Sequence, residues 1–225
     1  MNRISLISTA HQEKGLANSG NLYSILKHLK PEVIFLELPS DHYDYYFTTY
    51  SLRTLESDSV NMYRKDNPVE IVLVDSKAPN TSLRDDIDFL FKTIDSNSDR
   101  LESIGRYIHQ FTCQYGFPYL NSMKHQEHLS AQREEELNTI KSLNDPKLRG
   151  LYELWENIHK QRENEILNNI QKYSGNHSFN QAVFLVGSAH SQSIIEKAKE
   201  KYSSSPLDIQ LFFYSREELV NSNEA

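Results

Sequence analysis

The sequence predicts an α/β fold, with a mixed, mainly parallel sheet built from N- and C-terminal β-α-β units and a helical insertion between them. Two observations lead to it. Helical periodicity fills the middle of the chain, and short apolar runs stand near both ends, at 3–9, 33–38, 70–75, 182–187 and 207–214. One amphipathic segment separates 3–9 from 33–38, and another separates 182–187 from 207–214, which is the arrangement of β-α-β units with right-handed crossovers. We therefore expect one domain over 1–225, with a sheet core at 1–78 and 180–214 and an insertion at 80–175.

The N-terminal unit starts with a buried strand, RISLIST, followed by a polar loop. The next segment, 21–29, is predicted to be helical because its apolar residues share one face of a helix. A second strand, VIFLEL, is rich in β-branched and aromatic residues. Residues 41–66 are polar and Tyr-rich and are interpreted as helical, and EIVLVD forms the third strand.

The insertion is predicted to be helical throughout. Two apolar stripes open it, and a long polar helix follows over about 122–142. Another helix starts near Pro146 and runs to about 172, with apolar residues along one side. A C-terminal helix over 191–202 then joins the last two strands, and its arrangement mirrors that of the N-terminal unit.

The composition and the length of the apolar runs argue against several classes of protein. The chain carries 31 acidic and 24 basic residues, a formal net charge of -7, which disfavours nucleic-acid binding and attraction to anionic membranes. Cys113 is the only cysteine, so an intrachain disulfide is excluded and a reducing compartment is favoured. No run approaches the ~18 apolar residues of a membrane span. We expect a soluble, cytoplasmic protein with no nucleic-acid or membrane partner, and homo-oligomerisation stays open.

A short pattern occurs twice. LISTAH stands at 6–11 and LVGSAH at 185–190, each an apolar strand followed by two small residues, Ala and His. In open α/β sheets, ligands bind beyond the carboxyl ends of the strands. If the strands are parallel neighbours, one edge of the sheet gathers the groups that follow them, His11, Glu37, Asp75 and His190.

The residue types at this edge suit hydrolytic or metal chemistry. Neutral imidazoles of His11 and His190 could ligate a divalent metal, or one could act as a general base near neutral pH. Glu37 closes an otherwise apolar strand and is interpreted as a ligand or base, or else as a carboxylate that caps a loop. Glu13, in the loop after His11, is a further candidate ligand or base, or a surface residue.

Arg162 falls on the apolar side of the long helix, between Ile158 and Ile166. A guanidinium there must be paired or must reach solvent. It could clamp a carboxylate, stabilise an oxyanion, or form a structural ion pair with Glu37 or Asp75. The neighbouring Glu163 and Asn164 are predicted to lie on other faces of the helix.

Other motifs are interpreted as structural. The H-x-x-H pair His125 and His128 lies on the polar helix and predicts a solvated face, since it is not the H-E-x-x-H of zinc proteases. Cys113 lies within a helical stripe and is expected to be a packing residue. The chain has no Gly-rich phosphate-binding loop and no G-x-S-x-G elbow.

At these residues the chain resembles the superfamily of TraB/pheromone-shutdown and Tiki proteins, whose relatives include erythromycin-esterase-like and ChaN-like proteins. The resemblance lies in STAHQEKG (8–15), in KPEVIFLELP (30–39), in VEIVLVD (69–75), in KQRENEI (160–166) and in the G-x-x-H motif at 187–190. In the first of the two G-x-x-H motifs of the superfamily, Ser8 replaces the glycine here.

The resemblance implies an α/β core with a helical insertion and a site that contains His11, Glu37, Arg162 and His190. Members of the superfamily differ in chemistry, and our first hypothesis is a hydrolase that activates water for a peptide or ester substrate, either without metal or with a divalent ion such as Mn, Co, Fe or Zn held by His11, Glu13, Glu37 and His190. The alternatives are a non-catalytic module that binds a metal, haem or peptide, and an interaction partner that uses the Tyr-rich segment 42–50.

Overall fold

The computed structural model describes residues 2–75, 81–202 and 207–211. Its sheet has five strands in the order β3-β2-β4-β1-β5, and every pair is parallel. The prediction of an α/β fold is confirmed, but the sheet is all-parallel in the described residues rather than mixed. The strands are β1 (Asn2–Thr9), β2 (Val33–Pro39), β3 (Glu70–Asp75), β4 (Gln181–Gly187) and β5 (Leu207–Leu211).

Helices cover both faces of the sheet and make up the insertion between β3 and β4. The last residues expected in the final strand, 212–214, lie outside the described residues. The helices are α1 (Ser19–Leu29), α2 (Tyr43–Phe47), α3 (Leu55–Tyr63), α4 (Thr81–Asp95), α5 (Asp99–Tyr115), α6 (Phe117–Leu120), α7 (Met123–Leu143), α8 (Pro146–Asn176) and α9 (Ser188–Tyr202).

Side chains that cap the first turns set where the helices begin. The side chain of Asn18 accepts the hydrogen bond of a backbone N–H in the first turn of α1, which satisfies one of the donors that a helix start leaves unpaired. Thr54 and Ser57 form a reciprocal capping box at α3. The segment 41–66, interpreted as helical from the sequence, is not one helix. It contains a 3-10 turn followed directly by α2, and a non-helical stretch at 48–54 separates α2 from α3.

The two β-α-β units leave the sheet in opposite directions. From β1 the chain crosses β4 to reach β2, and from β4 it crosses β1 to reach β5. Right-handed crossovers in opposite directions must lie on opposite faces. Accordingly, α1 packs with α3 and α6 on one face of the sheet, whereas α8 and α9 pack on the other.

The insertion has a core of its own. Leu90, Ile94, Leu101 and Ile140 are buried together with Leu148 and Tyr152 where α4, α5, α7 and α8 meet. Long α8 also contributes Ile166, Leu167 and Ile170 to the core on the sheet. This shared helix fixes the insertion over the carboxyl ends of β2 and β3. Within the described part of the chain, no helix combines the length and the apolar character that crossing a membrane requires.

Candidate functional site

The site lies where the two crossovers diverge. β1 and β4 are neighbours, and the chain leaves them towards opposite faces, which opens a crevice at their carboxyl ends. Crevices of this kind are the usual ligand sites of open α/β sheets. His11 follows β1 by two residues, and His190 stands in the first turn of α9, directly after β4.

Glu37 is positioned by an irregularity in β2. The register between β2 and β3 shifts after Leu36, and such irregularities re-aim side chains. Its carboxylate turns over the end of β4, where Oε2 accepts the backbone N–H of Gly187 at 2.7 Å. The Glu37 side chain is only 5% exposed.

Gly187 keeps the space between these groups open. A Cβ at this position would stand 3.2 Å from Oε2 of Glu37 and 3.3 Å from Nε2 of His11, a tight contact with both groups. Glycine thus lets the His11 ring and the Glu37 carboxylate approach the same point of the backbone. This explains why the second G-x-x-H motif begins with glycine.

Arg162 joins the ends of β2 and β3 to α8. Its Nη2 lies 2.6 Å from Oδ2 and its Nε 3.3 Å from Oδ1 of Asp75, and Nη2 also reaches Oε1 of Glu37 at 3.2 Å. The ion pairs expected from the sequence are thus both present. Nη1 forms no hydrogen bond to a residue that the structure describes, so one edge of the guanidinium stays available.

A carboxylate holds His11 from one side. Nδ1 of His11 lies 3.2 Å from Oε1 of Glu56, whose side chain is 7% exposed, whereas that of His11 is 59% exposed. The hydrogen bond that His11 donates to Glu56 is the main cause of the raised pKa of His11. At Glu56, burial opposes ionisation, but the hydrogen bonds of His11 and Thr9 outweigh it and lower the pKa.

A second carboxylate holds His190. Nδ1 of His190 lies 2.8 Å from Oε1 of Glu163, and its Nε2 lies 3.5 Å from Oε1 of Glu37. Burial opposes ionisation of Glu163, but hydrogen bonds from His190, Lys197 and Ser193 lower its pKa to about 2. Because Glu163 is ionised, Nδ1 of His190 carries a proton and Nε2 faces Glu37.

A small cavity lies beside the His11 ring, and its wall includes Glu37, Glu56 and Thr54. The volume open to the centre of a water molecule is about 10 Å³, and one water needs about 10–15 Å³ by that measure. Oε2 of Glu56 is buried and has no hydrogen-bond partner among the described residues. The cavity therefore offers a polar place for one water next to an imidazole.

The structure brings together most of the residues singled out in the sequence, and adds others. Glu13 is not among them: Oε1 of Glu13 accepts the N–H and hydroxyl of Ser19 at the start of α1, and no contact among the described residues links it to the cluster. Sequence reasoning missed Glu56 entirely and placed Glu163 on another face of α8. Arg162 and Glu163 are adjacent in α8, and both side chains turn towards the strand ends. Helical periodicity predicts only one of them on that side of the helix.

The expectation for His125 is wrong. Its residue is 1% exposed, it packs at 4.8 Å between ring centroids against Tyr119, and neither ring nitrogen has a hydrogen-bond partner in the described part of the chain. Burial lowers its pKa to about 4. Tyr119 of α6 covers the start of α7, so this face of a polar helix is not solvated. His128 hydrogen-bonds the hydroxyl of Tyr119.

A divalent metal fits this arrangement poorly. The two oxygens of Glu37 already accept hydrogen bonds from Gly187 and Arg162, and the guanidinium places a positive charge beside the carboxylate that a metal would need. The carboxylate–imidazole pairs do resemble the outer partners of metal-bound histidines. The ligand set of His11, Glu13, Glu37 and His190 stays a prediction, which metal analysis tests.

Comparisons with family models, with curated proteins and with solved structures find no match to this chain.

Proposed function

We propose that the protein is a hydrolase of the TraB/Tiki type that activates water with His11 and cleaves an ester or peptide bond. The observation that carries the proposal is the pair of carboxylate–imidazole contacts, Glu56–His11 and Glu163–His190, on either side of Glu37. A carboxylate that binds one ring nitrogen fixes the tautomer and leaves the other nitrogen for chemistry.

His11 is the general base in this proposal. With its Nδ1 proton held by Glu56, Nε2 accepts a proton from a water molecule, and the resulting hydroxide attacks the carbonyl carbon of the substrate. Its exposed ring borders a cavity with room for one water, so substrate and nucleophile can meet there. General-base catalysis of this kind contributes about 10²–10⁴-fold to the rate.

Arg162 acts on the charge that the attack creates. The free edge of its guanidinium can donate a hydrogen bond to the developing oxyanion. The proton that His11 took from water then passes from its Nε2 to the leaving group, and His190, held between Glu163 and Glu37, keeps the Glu37 carboxylate in place beside it. The substrate is a small molecule or a peptide, and the lone Cys113 supports a cytoplasmic location.

A panel of aryl esters and chromogenic peptides tests the proposal on protein treated with a chelator and then dialysed. We expect turnover by the wild type, a loss of about 10²–10⁴-fold in His11→Ala, and a large loss in His190→Ala. His28→Ala is the matched control, because His28 is exposed in the last turn of α1. Turnover that returns only with Mn, Co, Fe or Zn would favour the metal-dependent alternative, and a folded His11→Ala with full activity would overturn the proposal.

A further inference from the structure

A second pocket opens beside the cluster, between α4 and α8. Its volume is about 120 Å³, which is smaller than the about 300–1,000 Å³ of a site for a whole drug-sized ligand and suits one ring or one branched group. Two of its residues belong to the cluster or touch it: Arg162 binds Glu37, and the ring of His159 stacks on that of His190 at 4.7 Å. The pocket therefore adjoins the place where the proposed chemistry happens.

The inner wall of the pocket is apolar. Such a surface binds a ring or a branched chain by removing apolar area from water, and aromatic walls prefer rings in edge or offset contacts. The lining side chains that share this character are Leu83, Ile87, Trp155 and Ile158.

The polar groups of the pocket favour an anion. Arg84 at its mouth is exposed and forms no ion pair with the described residues. Arg162 keeps one edge of its guanidinium free. His159 adds a polar ring to the wall between these two arginines. Among the described residues, no carboxylate lines the pocket.

We propose that this pocket is the specificity subsite of the enzyme, and that it binds an apolar ring or branched group of the substrate that ends in a carboxylate. The apolar group lies against Trp155 and Ile158, and the carboxylate pairs with Arg84 at the mouth. The claim that the ligand is substrate rests on the proposed hydrolase function, whereas the binding of such a ligand does not.

Trp155 is the only tryptophan of the chain and lines this pocket, so its fluorescence can follow ligand binding without turnover. We would titrate the protein with 4-phenylbutyrate and with 4-phenylbutan-1-ol, which shares the carbon skeleton but has no charge. We expect a saturable change in emission with the acid and binding at least tenfold weaker with the alcohol. Arg84→Gln should abolish this preference. Arg149→Gln, an exposed arginine of α8 outside the pocket, should retain it.

Equal binding of acid and alcohol, or a preference that survives in Arg84→Gln, would overturn the proposal. Kinetics on esters with and without a carboxylate on the acyl group then separate the two claims. A lower KM for the charged ester in the wild type, lost in Arg84→Gln, supports the subsite. Binding of the carboxylate without His11-dependent hydrolysis would reject the proposed function but would keep the proposed class of ligand. Hydrolysis without a preference for the carboxylate would reject only the subsite.

Discussion

At the scale of single residues, His11 and Glu56 decide whether the site has a base at neutral pH. The ring is largely exposed, but its Nδ1 side rests on a buried carboxylate. That contact raises the pKa of His11 above its ordinary value. The neutral imidazole is therefore a stronger base, but it forms only at higher pH. Only the neutral imidazole can accept a proton from water.

The sign of the pH dependence follows. Activity should rise with pH as His11 loses its proton, with a midpoint above the ordinary value of about 6.5 for histidine. Glu56→Gln removes the negative charge but keeps the size of the side chain, so the rising limb should move to lower pH. The measurement is the pH profile of kcat/KM, which reports the free enzyme.

Glu136→Gln is the matched control for that profile. Glu136 is also a buried glutamate, but it contacts Gln132 and Tyr152 within the insertion. Its variant should leave the limb in place. A limb that stays fixed in Glu56→Gln would mean that another group titrates, and the assignment of His11 as the base would fail.

The residues of the site differ in how far the sequence could predict them. His11, Glu37 and His190 follow apolar runs, so strand ends and parallel topology alone bring them together. Arg162 stood out because a guanidinium on an apolar stripe needs partners, and it has both partners that were considered. Glu56 lies in the short helix α3, and Asn121 lies in the turn after α6. Neither segment is long enough to show a periodic pattern in the sequence that would place it at the edge of the sheet.

At the scale of elements, the turn after α6 holds the end of β1. The side chain of Asn121 is 1% exposed; its Oδ1 accepts the N–H of Ser8 at 2.7 Å, and its Nδ2 donates to the carbonyl of Ser8 at 3.1 Å. A side-chain amide thus pairs with the backbone as a neighbouring strand would. The helical insertion in this way fixes the backbone three residues before His11.

Asn121→Ala should lower the free energy of unfolding by about 2–6 kcal/mol, because it leaves two buried backbone groups unpaired at about 1–3 kcal/mol each. Asn121→Asp keeps the acceptor for Ser8 and should fall between Asn121→Ala and the wild type. Urea titration checks the order. Asn176→Ala, at an exposed asparagine of α8, should stay within about 0.5 kcal/mol of the wild type, and an equally small effect at Asn121 would contradict this account of β1.

At the scale of the whole molecule, the site forms where the direction of the crossover connections along the sheet reverses. The two β-α-β units cross each other's strands, so that β1 and β4 become neighbours although the insertion separates them in sequence. The repeated strand-small-small-Ala-His pattern predicted both units. It could not predict the strand order, because parallel pairing at long range depends on the packing of α1, α8 and α9 on the two faces. The burial of His125 could not be predicted for the same reason, because the sequence of a polar helix does not indicate which of its faces packs against a neighbouring element.

Nitrogen-15 NMR of the His11 ring shows which ring nitrogen carries the proton, and it needs no substrate. Above the pKa of His11, we expect the tautomer with the proton on Nδ1, held by Glu56, and a bare Nε2 that faces Gly187 and Glu37. A proton on Nε2 instead would leave no base at the cavity and would contradict the proposed activation of water.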